Sequence, residues 1–480
     1  MIELTLAEIA EIVGGRLQHA DPATVVTGSV EFDSRNVGRG GLFLAIPGER
    51  VDGHDFTHAA IAAGAVASIV TRDVDGPSIV VVDAFTALAD LASAVVRRLP
   101  QLTVIGVTGS SGKTSTKDLL EQLLRRLGPT VAPPGSFNNE LGHPYTVLRA
   151  TTETRYLVLE ASARGIGHIR FLTEIAPPHI GVVLNVGSAH VGEFGSREAI
   201  AEAKGELVEA LSTDGVAVLN ADDPLVAAMA ERTAARIVWV GESETADVRA
   251  ADVRVDELSR AAFVLQTSTG TASVQLNVAG RHHVGNALSA AAVALECGMS
   301  TDEVAAALGA ATPVSRWRME LTERPDGVLV INDAYNANPE SMRAALETLA
   351  EVSAARQKSG ARAFAVLGQM AELGAEAPAQ HEELGRLAAR LGVDRVVAVG
   401  DAARPVEQST ALEGSWSGTA SWVPDIDGAV ALLRAELRPG DVVLVKASRA
   451  ASLERVALAI ADDVVSGSAA GPDGNGGETG

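Results

Sequence analysis

Along the chain, short apolar runs alternate with longer stretches in which apolar residues fall three or four apart. The runs "TVIGVT" (103–108), "YLVLEAS" (156–162), "IGVVLNV" (180–186), "VAVLNA" (216–221) and "RIVWVG" (236–241) have the length and β-branched content of buried strands. The stretches between them carry helical spacing, as in Leu119, Leu120, Leu123, Leu124 and Leu127, where Gly128 and Pro129 supply a stop. Residues 1–99 show the same alternation in shorter pieces, beginning with a Thr5/Glu8 capping box ahead of an amphipathic helix. From 247 to 279 the rhythm switches to period two ("AAFVLQTSTGTASVQLNV"), which predicts a small antiparallel appendage; a helical stretch, 286–310, follows, with a second capping box at Ser300 and Glu303. Beyond Pro313, "GVLVINDAYNANPESMRAALETLAEV" predicts strand, turn and helix, with Asn338 as N-cap and Pro339 at the first helical position. The runs "ARAFAVLG", "DRVVAVG" and "GDVVLVKAS" then predict a second open parallel sheet. Boundaries are expected near Pro100 and Pro313, giving units 1–99, 100–312 and 313–465 and a disordered tail, 466–480, too polar and glycine-rich to bury anything.

Composition narrows this picture. Hydrophobic residues make up 47% of the 480 positions but aromatics only 3%, which favours packed α/β layers over an aromatic-rich sandwich. The formal net charge of −22 lacks the basic footprint of a nucleic-acid binder, so any cation facing an anionic ligand must be concentrated locally. A single cysteine, Cys297, rules out intrachain disulfides and thiolate clusters and reads as a small apolar residue. The first residues lack the basic segment of a secretory leader, and no apolar run reaches the ~18 residues of a membrane helix. No membrane association is expected, and a cytoplasmic location is.

The chemistry concentrates after the first strong strand. "TGSSGKTS" (108–115) places Gly109, Ser110, Ser111, Gly112, Lys113, Thr114 and Ser115 between a strand and a helix. The strict Gly-x-x-x-x-Gly-Lys-Ser/Thr spacing fails, because Val107 stands where the first glycine belongs. Backbone N–H groups at a helix N-terminus still suit a phosphate; Lys113 would reach its terminal oxygens and Thr114 would ligate Mg²⁺. Glu160 and His190 stand at or just past the carboxyl ends of predicted strands, where ligands of open α/β sheets sit; a cap or structural role remains the alternative for each. Lys204 falls inside the apolar stripe of its helix, so either its stem snorkels to water, the favoured reading, or its amine is buried and open to carbamate formation. Asn286 either caps the helix it opens or reads an adenine edge. Arg318, in "SRWRME", either is an ordinary surface arginine or reaches a phosphate from across the unit boundary.

Together these residues resemble the Mur ligase family, ATP-dependent amide-forming enzymes of bacterial cell-wall precursor assembly. The likeness covers about residues 29–460. It rests on "FDSRNVGRGGLFLAIPGERVDGHDF" (32–56), the phosphate loop, "GSFNNELGHP" (135–144), "VVLNVGSAHVGEFGS" (182–196), "AKGEL" (203–207), "NDAYNANPESM" (332–342), "GQMAELG" (368–374) and "VKASR" (445–449). Within the family, "DAYNANP" favours the branch that joins D-alanyl-D-alanine to UDP-N-acetylmuramoyl-tripeptide over the sibling that adds the third amino acid. The resemblance implies an α/β fold of three domains: a small N-terminal uridine-nucleotide domain, a central P-loop ATPase domain with a β appendage, and a C-terminal Rossmann-like domain. It implies ATP and two Mg²⁺ ions, one held by Thr114 and Glu160, the other by His190 and a carbamylated Lys204. Asn286 would contact adenine, Arg318 the γ-phosphate and Asp333 the nucleotide. Ser34, Arg35, Asn138, Asn139, Asn336, Asn338, Lys446 and Arg449 would contact the other substrates. Ala447 and Gln369 depart from residues common in the family, Gly and Asp. A monomer is expected. Folylpolyglutamate synthase, the nearest rival, usually lacks a uridine-nucleotide domain; a GTPase switch would need "NKxD", which is absent, and a kinase needs no third domain with "DAYNANP".

Overall fold

The computed structural model describes residues 1–48, 51–188, 191–357 and 360–462. His190 and the tail 466–480 therefore lie outside the described residues. Three larger sheets run in chain order, of five, nine and six strands. The first gathers strands between Arg16 and Val80, and the last those between Glu320 and Lys446.

The nine-stranded sheet positions the site. Its centre is Thr103–Thr108, flanked in parallel by Tyr156–Glu160 on one side and Ile180–Val183 on the other. Alternate residues of these strands face opposite ways. Val104, Leu157, Leu159 and Val183 pack with Ala203, Leu207 and Val208 of the helix Arg197–Glu209, on one face. Ile105, Val107, Val158 and Val182 pack with Leu119, Leu120 and Leu123 of Lys113–Leu124 and with Ala287 and Ala291 of His283–Glu296, on the other. Burial on both faces explains why these strands read as unbroken apolar runs. Gly106 has a steric role, since a Cβ there would come 2.8 Å from Leu207 Cδ1. The period-two segment 247–279 forms strands Val248–Val255, Arg260–Thr267 and Gly270–Ala279. They are the antiparallel edge of this same sheet, joined through Arg236–Gly241, so the appendage is continuous with the central core. The helical stretch expected over 286–310 is two helices, His283–Glu296 and Thr301–Ala310, the second opened by the Ser300/Glu303 box.

Five parallel strands and one antiparallel edge make the last sheet, with Leu329–Asn332 beside Val442–Lys446, then Ala363–Leu367, Arg395–Val399 and Thr419–Val423. Asn338 caps Pro339–Arg356 as its sequence indicates, accepting from the Ser341 N–H at 2.8 Å. This sheet has separate apolar clusters on its two faces. The first unit, by contrast, shares one continuous core with the central one: Leu88, Leu91 and Val95 of the helix Ala84–Arg97 belong to the same cluster as Leu157 and Ile169. No helix among the described residues is long and apolar enough to cross a membrane.

The seam between the first two sheets also holds an aromatic trio, with Phe32 5.1 Å from Tyr145 and 6.2 Å from Phe137 between ring centroids. Tyr145 Oη donates to Glu31 Oε2 at 2.9 Å. Burial first, and then the Glu31 carboxylate, push the Tyr145 phenol up to about 12 from 10.0. The neutral phenol is thus the form that the folded chain prefers. Its contribution is complete below pH 10, the unfolded value, and is lost as pH rises through about 12. Tyr145→Phe should remove a phenolate step near pH 12 from an ultraviolet difference titration; a step that persists in the variant would show that another group produces it.

Candidate active site

The phosphate loop leaves the carboxyl end of the central strand and enters Lys113–Leu124 through Gly112, whose φ of +83° is the left-handed conformation glycine adopts freely. Gly112 also lies against Asn286, where an added Cβ would stand 2.4 Å from Oδ1. Asn286 is thus not the helix cap, a position held by His282; it is buried one turn into the helix, its amide against the phosphate loop. The loop is braced by Asn185 from the adjacent strand end. The Ser110 N–H donates to the Asn185 carbonyl at 3.2 Å and the Ser111 N–H to Asn185 Oδ1 at 3.0 Å. Those two donors are committed to holding the loop, so the anion-facing set narrows to the first helical turn, whose N–H groups have no intrahelical acceptor. Lys113 Nζ donates to the Gly109 carbonyl at 2.6 Å.

Around Thr114 three segments distant in sequence converge. Its Oγ1 is 2.6 Å from Ser136 Oγ and 3.4 Å from Glu160 Oε2, and it accepts from Arg318 Nη2 at 2.9 Å. Asn138 Nδ2 donates to the same Glu160 oxygen at 3.4 Å. Glu160 is fully buried, and its Oε1 has no partner among the described residues. Burial pushes its carboxyl above the usual range, against the pull of Arg318, Lys113 and Lys117. Arg318 lies 4.3 Å over the Tyr335 ring and also donates to Ser136 at 3.2 Å. A surface reading of Arg318 is therefore excluded. Lys204 does not snorkel: only 4% of it is exposed, and no hydrogen bond or ion pair joins it among the described residues. Burial first, then the Lys113 charge, hold its amine well below the usual lysine range. The helix face that carries it packs against the sheet through Ala203, Leu207 and Val208.

From the last sheet, Lys446 Nζ reaches Asp333 Oδ2 at 2.6 Å and the Asn336 carbonyl at 2.9 Å. Asn338 Nδ2 donates to the Ser110 carbonyl at 3.3 Å, and Glu340 Oε1 accepts from the Ser188 N–H at 2.6 Å, closing the last unit onto the loop. The result is one cavity of about 890 Å³ with walls from both sheets. Residues 110–115, Asn138, Asn139, Asn286, Arg318, Asp333, Asn336, Asn338, Lys446 and Arg449 line it. Glu160 and Lys204 stand buried behind that lining. Ser34 and Arg35 lie in the first unit, away from it, where Arg35 pairs with Asp33 at 2.6 Å. The sequence reading missed Ser136, Asn185 and Tyr335 as members of the site; each lies within or beside a motif, but only the fold brings it to Thr114 or the loop.

No group of three His, Cys, Asp or Glu side chains gathers among the described residues in a way that would hold a metal. The hard oxygen donors of Thr114 and Glu160, with the orphaned Glu160 Oε1 beside them, suit Mg²⁺, which keeps several waters and binds through one or two carboxylates plus phosphate.

Family models match three consecutive stretches: the Mur ligase family catalytic domain over 27–102, the Mur ligase middle domain over 107–294, and the Mur ligase glutamate ligase domain over 317–449. The chain belongs to the Mur ligase family. A UDP-N-acetylmuramoyl-tripeptide–D-alanyl-D-alanine ligase of Mycobacterium tuberculosis (strain ATCC 25618 / H37Rv) is 55% identical, the match covering 98% of this chain and 99% of the relative. A crystal structure of MurF from Acinetobacter baumannii superposes with a TM-score of 0.85 at 32% identity, covering 96% of this chain and 99% of that one. The MurF ligase of Thermotoga maritima, solved in complex with ADP, gives 0.79 at 31% identity, covering 92% and 98%.

Gly112→Ala should destabilise the central unit by about 1–2 kcal/mol, the cost of a left-handed L-residue, beyond any clash. In thermal melts, pairing it with Asn286→Ala should relieve the steric part and leave the conformational part. A single variant as stable as its parent would contradict the loop geometry.

Proposed function

We propose that this chain is an ATP-dependent ligase that joins D-alanyl-D-alanine to UDP-N-acetylmuramoyl-tripeptide, releasing ADP and phosphate during peptidoglycan precursor synthesis. The observation that carries the reading is Arg318. It crosses from the linker between the second and third units to bond Thr114, beside Lys113 and Glu160, in a cavity walled by both sheets. An arginine delivered across a unit boundary stabilises phosphoryl transfer in general, and the two-walled cavity adds what a ligase needs in particular, shelter of a reactive intermediate from water. The full-length match to a ligase of that name supports the substrate assignment.

The reaction brings two anions together, so its barrier is mainly electrostatic. Lys113 and the first-turn N–H groups hold the terminal phosphates, and Arg318 faces the transferring phosphoryl group. The tripeptide carboxylate attacks the γ-phosphorus of ATP and forms an acyl phosphate. The D-alanyl-D-alanine amine then attacks its carbonyl carbon, and phosphate leaves as the amide forms. Mg²⁺ bound near Thr114 and Glu160, with a second ion near His190 and a carbamate on Lys204, would offset the negative charge of the phosphates. Lys204 supports this because its side chain is buried and has no hydrogen-bond or ion-pair partner among the described residues, which favours the neutral form that combines with CO₂. All lining the one cavity, Asn286 would read an adenine edge and Asp333 would contact the nucleotide, while Asn138, Asn139, Asn336, Asn338, Lys446 and Arg449 would contact the other substrates. Units 1–99, 100–312 and 313–465 take uridine nucleotide (with Ser34 and Arg35), ATP, and the closing role. The enzyme works as a monomer in the cytoplasm.

Phosphate release from ATP should require the uridine peptide and D-alanyl-D-alanine together. Oxygen-18 from a labelled peptide carboxylate should appear in the released phosphate. Release into water alone, or unlabelled phosphate, would reject the mechanism. Lys204→Ala should lose most activity and regain part of it with a short carboxylate such as acetate; full activity in the unsupplemented variant would end the carbamate assignment.

A further inference from the structure

The helix behind the phosphate loop carries a second pattern that the chemistry above does not use. Thr114, Asp118 and Gln122 stand four apart on Lys113–Leu124 and so share one face. Each holds a residue of the linker to the last unit, in reverse order. Arg318 Nη2 donates to Thr114 at 2.9 Å, and the Ser315 N–H donates to Asp118 Oδ2 at 3.0 Å. At the far end Gln122 makes two bonds to Thr312, donating to its carbonyl and accepting from its N–H, both at 3.0 Å. The other Asp118 oxygen pairs with the Lys117 ammonium, whose side chain is almost wholly buried.

This is unusual for a connecting segment. Thr312, Pro313 and Val314 are exposed, and water could satisfy the linker backbone, yet side chains of a neighbouring helix do so at two positions. Just beyond, Trp317 and Met319 both take left-handed conformations, with φ of +59° and +50°. Such conformations persist only where the surroundings over-determine them. Here the Trp317 N–H is held by Glu320 Oε2 at 3.0 Å and the Met319 N–H by Asp333 Oδ1 at 3.1 Å. Arg318 is the residue between them. Its guanidinium is therefore aimed by the path of the linker as well as by its own rotamer. A slip of one residue along the helix would move the chain by roughly 1.5 Å, and misplacement by about 1 Å can already cost on the order of a hundredfold in rate.

We propose that Asp118 and Gln122 are positioning residues: they fasten the 312–315 linker to the phosphate-loop helix so that Arg318 arrives at Thr114 only when the linker is seated along that helix face. The inference rests on Arg318 facing the transferring phosphoryl group, and its test separates the two. The variants are Gln122→Leu, which keeps helix propensity, and the pair Lys117→Met with Asp118→Leu, which removes both charges so that neither is left buried alone. Each is made in the parent and in Arg318→Ala, and kcat and the KM for ATP are measured with both substrates present. Gln122→Leu should lower kcat roughly tenfold in the parent and change the KM for ATP by less than about twofold, because the phosphate-binding turn is untouched. In the Arg318→Ala background the same substitution should cost nothing further. Parental kcat in both ladder variants, while Arg318→Ala is impaired, would overturn the inference and leave the Arg318 assignment standing. Equal losses in both backgrounds would also overturn it, since they mark a general structural effect. An unimpaired Arg318→Ala would remove the phosphoryl assignment and the inference with it. Melting of each variant identifies any that fails to fold, and Gln122→Leu, at a half-buried surface position, carries the test if the paired variant does not fold.

Discussion

A loop that binds phosphate through its backbone cannot use those same atoms to hold its shape. In this chain the conflict is settled by dividing the donors. Ser110 and Ser111 give their N–H groups to Asn185, which stands at the end of the next parallel strand, and the first helical turn keeps its own for the ligand. Asn185 can brace the loop only because Ile180–Val183 is locked in register beside Thr103–Thr108 and buried on both faces. The sheet core is thus the physical origin of the site's precision, and the strict spacing of the phosphate-loop pattern is dispensable.

The second theme is charge in a dry place. The molecule is strongly acidic overall, yet Lys113, Lys204, Arg318 and Lys446 converge on the cavity or just behind it. Burial disfavours each ammonium, and Lys113 further depresses its neighbour Lys204. Glu160 feels the reverse: burial raises its carboxyl while Arg318 and Lys113 pull it down. A site tensioned in this way has its electrostatic work done during folding, and an anionic ligand relieves it.

What the sequence made legible was local. Strand runs, both capping boxes, the Asn338–Pro339 helix start and the phosphate loop each depend on neighbours a few residues apart, and the structure places them as read. The contacts that assemble the cavity are another matter. Arg318 meets Thr114 across 204 positions and Ser136 across 182, and no periodicity encodes such a meeting. Lys204 shows the same limit differently. Its place in an apolar stripe was visible, but whether its stem could escape to water depended on the sheet laid over that helix. Asn286 was ambiguous for a related reason: a polar residue near a helix start looks like a cap until the true first turn is known to begin earlier.

The shared core of the first two units has a mechanical consequence. Helix Ala84–Arg97 is packed into the same apolar mass as Leu157 and Ile169, while the last sheet has separate apolar clusters, one of them touched at its edge by Val191 and Leu258 of the central unit. The first two units are thus joined through one apolar mass, and the last meets them at its margin. Any hinge between the units would then have to lie ahead of the last one, which leaves the chain the rotational freedom of one joint instead of two.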